Sequence, residues 1–138
     1  MTLYVQGRAG PHLLLLPAIR VLEVWSAGSS RQPGQWRERT LPVINLRQLL
    51  AGDGRRTDVR TDETLAAYGA DADDDEAVVL ALDAVIGLMT LEPAALVPLP
   101  AVSLAARQLF DAVTRAPIGE RHLLRLRERP EFASVATR

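Results

Sequence analysis

The run RERTLPVINLRQLL, from Arg37 to Leu50, decides how the rest of the chain is read. Arg39–Leu46 has the β-branched and apolar content of a strand, yet Pro42 sits inside it. Proline has no N–H to give to a ladder, so this strand is predicted to be an edge, or bulged or bent at that point. Arg47–Leu50 then reads as one helical turn, stopped by Ala-Gly-Asp-Gly at 51–54. A bent edge strand running straight into a single helical turn points to a small β-rich domain.

Working outward, the N-terminal side predicts a strand at Thr2–Gln6, a Gly-Arg-Ala-Gly-Pro turn at 7–11 and a second strand at His12–Leu16. Pro17 interrupts, and Ala18–Trp25 fits either a short helical turn leading into a strand or a half-buried strand alone. Residues 26–35, SAGSSRQPGQ, are a loop. On the C-terminal side, 53–63 is polar and charged, ETLAAY (Glu63–Tyr68) is a weak strand, and Gly69–Glu76 is an acidic loop. Ala77–Leu91 predicts one long strand that bends or bulges at Gly87, with a helix over 77–86 as the alternative. Leu91–Pro100 is extended or turn-like, Ser103–Thr114 is a short helix or strand, and Ala116–Arg121 is a turn. His122–Leu126 is a final strand before a charged tail. Many short strands separated by turn signals predict an all-β barrel or sandwich with short helices.

Composition narrows the function classes. The chain has 138 residues, 48% hydrophobic, enough for one domain with a real core. Its net charge of −1 gives no global attraction to nucleic acid or to an anionic membrane. Cysteine is absent, which removes disulfides, thiol nucleophiles and thiolate metal sites together. No secretory signal or membrane-length apolar run is visible, so a cytoplasmic location without direct membrane insertion is expected. All 16 basic residues are Arg; its planar fork of donors suits protein interfaces, but codon bias is the plainer account and makes no single Arg functional by default.

The order of four blocks resembles the CheW-like family of bacterial chemotaxis coupling proteins. QWRERTLPVINLRQLL aligns Arg37 with the family's motif arginine, Pro42 with its strand proline and Arg47 with the arginine after an aspartate-leucine pair. LLLLPAIRVLEV (Leu13–Val24) is similar to an apolar strand with a Val-x-Glu-Val ending, which places Val21 and Glu23. VLALDAVIGLMTLEPAALVPLP (Val79–Pro100) matches a strand with an aspartate, here Asp83, and a proline-rich connection. LFDAVTRAPIGERHLLRL (Leu109–Leu126) resembles the closing hairpin. The departures are local. The connection between Trp25 and Arg37 is shorter than the family norm, Gln35, Trp36 and Glu38 replace Asn, Leu and Gly, and Asn45 replaces the aspartate. Glu38 lacks glycine's freedom, so the turn there is expected to avoid positive φ.

The resemblance implies a single CheW-like domain over 1–138, built as two intertwined five-stranded SH3-like β-barrel subdomains. It implies an adaptor without cofactor or active site, bridging the cytoplasmic tip of a chemoreceptor to the regulatory domain of a CheA-type histidine kinase, in the cytoplasm at membrane-associated receptor arrays. A divergent structural or localisation partner of such an array, or of a signalling pathway unrelated to motility, is the alternative. Partner contacts are implied at Val21, Glu23, Arg37 and Leu65, and structural motif roles at Pro42, Arg47 and Asp83. Glu23 serves equally as a solvated acid on a half-buried strand. Arg37 either orders a loop by pairing with a carboxylate or meets a partner. Asp83, inside an apolar run, is expected at a turn or strand end bonded to backbone, because an ionised carboxylate there needs donors. Arg47 is expected to be solvated or salt-bridging.

Rival classes fare worse. His12 and His122, the only histidines, each adjoin an apolar strand, and no nucleophile elbow, phosphate loop or His-x-x-x-His pair is present. Asp73–Asp75 lacks the glycine and distal glutamate of a calcium loop. The arginine excess after Arg115 lacks the interleaved aromatics of a nucleic-acid platform.

Overall fold

A computed structural model describes residues 1–29, 32–51, 59–100 and 104–131. Expectations for 52–58, for 30 and 31 in the 26–35 loop, for 101–103 and for the tail at 132–138 lie outside the described residues. In chain order the elements are β1 (Thr2–Ala9), β2 (His12–Pro17), a 3-10 turn (Ala18–Arg20), β3 (Val21–Ser26), β4 (Gln35–Trp36) and β5 (Arg39–Thr40). There follow β6 (Val43–Asn45), α1 (Leu46–Leu50), β7 (Thr64–Tyr68), β8 (Val78–Leu82) and β9 (Ala84–Leu91). A second 3-10 turn (Pro93–Ala95), β10 (Leu96–Pro98), α2 (Leu104–Leu109), β11 (Phe110–Thr114) and β12 (Leu123–Leu126) complete the order.

These strands form a six-stranded sheet in the order β10-β11-β12-β2-β1-β9, a four-stranded sheet in the order β3-β7-β8-β6, and a two-stranded ribbon, β4-β5. The chain begins in the six-stranded sheet, crosses after Arg20 to the four-stranded one, and returns after Leu82. That path is the intertwining of two β subdomains. The strand around Pro42 is an edge: β6 is outermost in its sheet, and Pro42 lies just before it, where its carbonyl accepts from Val79 N–H at 2.8 Å.

Two local expectations are corrected, and the bulge expected at Gly87 is found beside it. Ala77–Leu91 is two strands, β8 and β9, in different sheets, and the break falls at Asp83; the helix over 77–86 does not form. Gly87 adjoins a bulge, since β1 pairs Gln6 with Gly87 and Gly7 with Val85, leaving Ile86 as the extra residue. The first hairpin turn is only Gly10-Pro11, with Ala9 opposite His12. Gly10 takes φ +61 before proline's fixed negative φ, the φ sequence of a II′ hairpin turn. At 104–114 both readings hold in succession, helix then strand.

The core explains the failed alternation. β8 buries every residue, with Val78, Leu80 and Leu82 facing a core shared by both sheets and Val79 and Ala81 facing a second cluster. Likewise β2 sends Leu14 and Leu16 into the shared core and Leu15 into a third cluster with Tyr4 and Leu123. A strand covered on both faces reads as a continuous apolar run. In the second cluster the small side chains of Ala67, Ala77 and Ala81 leave volume for Trp25 and Trp36, so the ribbon's indole lids that face of the four-stranded sheet.

Candidate functional site

The motif residues Arg47 and Asp83 meet at the junction of the two sheets. Asn45 ends β6 and caps α1: its side-chain oxygen accepts from Gln48 N–H at 3.1 Å, satisfying one of the orphan donors of a helix start. Its Nδ2 donates to both oxygens of Glu63 at 3.1 and 3.2 Å. The Glu63 side chain is 0% exposed and also accepts from Arg60 N–H at 2.8 Å, with Arg47 Nη2 at 3.7 Å. Asp83 accepts from Gly10 N–H in the first hairpin turn and from Arg60 Nη2 at 2.9 Å, with Arg47 Nε at 3.6 Å and Arg8 Nη1 at 3.8 Å. Its own N–H donates to Arg8 O at 2.9 Å.

Two low-exposure carboxylates are thus surrounded by guanidinium and amide donors, the condition under which buried charge is tolerated. The cluster bolts the first hairpin, α1 and the segment before β7 to the point where the chain changes sheet. It matches the strand-end, backbone-bonded reading of Asp83 and the salt-bridging reading of Arg47. Asn45 and Glu63 carry it equally and were not singled out from sequence. An Asn directly before an apolar helical turn is a capping signal that could have found the first; no sequence pattern marks Glu63.

The four implied contact residues do not share one surface. Leu65 is 0% exposed within the tryptophan cluster and has no surface to offer a partner, which corrects its placement as a contact. Val21 is half-buried at the rim of the shared core. Glu23 accepts a hydrogen bond from Trp36 Nε1 at 2.8 Å, tying β3 to the ribbon. Arg37 is exposed at the ribbon tip, with its guanidinium carbon 5.2 Å from the centroid of Trp36, within cation–π range.

The tip overturns the expectation for Glu38. Trp36 pairs with Arg39, and between them Arg37 and Glu38 take φ +48 and +63. Two consecutive positive φ values define the I′ hairpin turn, normally built from Asn and Gly. Here two bulky charged residues occupy it, held by Trp36 beneath the turn and by Arg39 behind it. Arg39 Nη1 and Nη2 donate to the carbonyls of Ala72 and Asp74 in the acidic loop at 2.6 and 2.8 Å. Beside the ribbon lies an open depression of about 620 Å³ lined by Gln32, Pro33, Gly34, Gln35, Thr40, Leu41 and Val43. A Cβ on Gly34 would fall 2.6 Å from the Leu41 carbonyl, so only glycine lets the two segments run this close.

The two histidines lie near each other at one end of the six-stranded sheet. The parallel register Leu123–Leu13 sets His122 and His12 at the same level, one residue upstream, and His122 Nδ1 bonds to Thr114 O at 2.8 Å. Among the described residues no group of three or more His, Cys, Asp or Glu could hold a metal. Burial pushes the Tyr68 hydroxyl well above its ordinary range, which keeps it protonated as the donor to Arg127 O at 2.8 Å. No helix among the described residues is long and apolar enough to cross a membrane.

This path through two sheets is found in a solved structure. The crystal structure of the scaffolding protein TtCheW from Thermoanaerobacter tengcongensis superimposes with a TM-score of 0.68, at 17% identity, over 91% of this chain and 88% of that one. The fold is CheW-like. No protein-family model and no curated protein sequence matches the chain. At this identity the likeness establishes the fold.

Proposed function

We propose that the protein is a non-enzymatic adaptor of bacterial chemosensory signalling. In this reading 1–138 forms one CheW-like domain that acts in the cytoplasm at receptor arrays and couples chemoreceptor tips to the regulatory domain of a CheA-type histidine kinase. The likeness to a CheW scaffold over 91% of the chain carries the reading. Surface chemistry supports it: Ile19, in the turn that leads into β3, and Val24, on β3, flank Val21 and Glu23 and are 76% and 41% exposed, apolar side chains of the kind a partner helix covers.

A second reading, an array partner that binds kinase without receptor, is favoured by one observation. Glu23 is engaged by Trp36 and Leu65 is buried, so two of the four family-type contacts are committed inside the chain. A pull-down of the full chain against a CheA-type regulatory domain and, separately, a receptor cytoplasmic fragment tests both. Capture of both is expected. Capture of the kinase domain alone selects the second reading, and capture of neither overturns the adaptor function.

A further inference from the structure

His12 and His122 are the only histidines of a chain that has no cysteine. They lie near opposite ends of the sequence, and the fold sets them side by side. β12 runs parallel to β2 with Leu123 beside Leu13, so one residue upstream His122 stands beside His12, about 5 Å away at the spacing of paired strands. Leu13 and Leu123 both turn to the cluster that holds Tyr4 and Leu15. The two histidines, one position along, therefore both turn to the other face of the sheet. Ala9, paired with His12 across β1, lies on that same face in the shared core. His122 is exposed and His12 half-buried, so the pair is open to solvent.

Hydrogen bonding adds an independent observation. His122 Nδ1 lies 2.8 Å from Thr114 O. A carbonyl only accepts, so Nδ1 carries the proton and Nε2 keeps a lone pair. Metal-bound histidines are held in this way, the second ring nitrogen donating to a carbonyl that fixes tautomer and orientation. Thr114 belongs to β11, and β12 separates β11 from β2. The bond thus keeps Nδ1 on the β11 side of the ring and Nε2 on the side of His12. Among the described residues neither ring nitrogen of His12 has a hydrogen-bond partner.

We propose that His12 and His122 form a two-imidazole site for a divalent transition ion of the Zn2+ and Cu2+ class, which staples β12 to β2. Imidazole suits these ions, whereas Mg2+ and Ca2+ take oxygen ligands. Among the described residues no third His, Asp or Glu joins the pair, so water completes the shell and the ion is held less tightly than in a closed four-ligand site. Cu2+ binds above Zn2+, in the usual order for nitrogen ligands. Before β12 pairs with β2 the two imidazoles are far apart, so the ion favours the closed seam.

The test contains neither kinase nor receptor, and the site stands or falls apart from the adaptor reading. Zinc chloride titrated by calorimetry into the full chain without a histidine tag, at about pH 7.5 where imidazole is free to ligate, is expected to show one ion per chain. Cu2+ binds more tightly and Mg2+ does not bind. His12→Ala and His122→Ala each lose as much affinity as the double variant, and more than the roughly 10–100-fold that removal of an outer-shell partner costs. The wild-type chain gives a readout that needs no variant: the ring-proton NMR lines of both histidines shift together and stop at one equivalent. Zn2+ raises Tm of the wild type and of neither single variant. No binding at about 1 mM Zn2+, the weak end of specific affinity, overturns the proposal. So do two ions per chain, one ion shared by two chains, or undiminished binding in either variant.

Discussion

The junction cluster and the ribbon tip are both built from charged residues, and they use charge in opposite ways. At the junction, donors from Asn45, Arg47 and Arg60 converge on Glu63, whose side chain is 0% exposed. In that low-dielectric setting each interaction is strong and each orphaned partner is costly. At the tip, Arg37 and Glu38 sit in solvent on a backbone that favours neither, and the ribbon beneath them is anchored by the indole bond to Glu23 and by the grip of Arg39 on two loop carbonyls. Inside, charge fixes where the chain changes sheet. Outside, it decorates a turn whose conformation the surroundings impose.

Breaking the junction is expected to have the largest effect. Glu63→Ala removes the buried carboxylate that accepts from Asn45 Nδ2 and Arg60 N–H and is predicted to cost about 3–5 kcal/mol in denaturant unfolding; a loss below about 1 kcal/mol would show that water replaces the carboxylate. At the tip the sign reverses. Glu38→Gly relieves a side chain held at φ +63 and is predicted to stabilise the protein by about 1 kcal/mol. Any loss of stability would show that the turn is not left-handed in solution.

The smallest effect is expected in the acidic loop that Arg39 grips. The N–H groups of Ala70 and Glu76 bond to the Asp74 carboxylate at 2.6 and 2.9 Å and hold it below its ordinary value of 3.8. A carboxylate depressed in the folded state contributes stability above its unfolded pKa, and that stability is lost as pH falls through the lower folded value. Asp74→Ala should therefore lower Tm slightly at neutral pH and flatten its fall below about pH 4. An acid limb identical to wild type would rule out this role for the loop.

Much of the fold was legible because turn chemistry is local. Pro42 marked the edge, Gly10-Pro11 marked the first hairpin, and the order of blocks pointed to the CheW-like path. The switch at Asp83 was not legible. β8 and β9 are both apolar, and only the partner strands tell them apart, so a continuous run concealed a change of sheet. The site was read less well for the same reason. Glu63 reads as the start of a weak strand because two of its partners, Asn45 and Arg47, lie well over ten residues upstream. The positive φ at Glu38 is not legible in the sequence because Trp36 and Arg39 together override its intrinsic backbone preference.

The parallel pairing of β12 with β2 joins Leu123 to Leu13 across about 110 residues. Among the described strand pairings that one closes the longest loop, and the whole four-stranded sheet lies within it. A contact so distant in sequence forms slowly, because the loop entropy is lost before the pairing rewards it. During synthesis the first hairpin therefore waits with the β2 edge uncovered until β12 has emerged. The four-stranded sheet, whose strands lie between residues 21 and 82, can assemble in the meantime. The expected order of events is a central sheet first and an outer sheet that closes around it late, with the apolar run Leu13–Leu16 the segment most exposed to wrong partners in the interval.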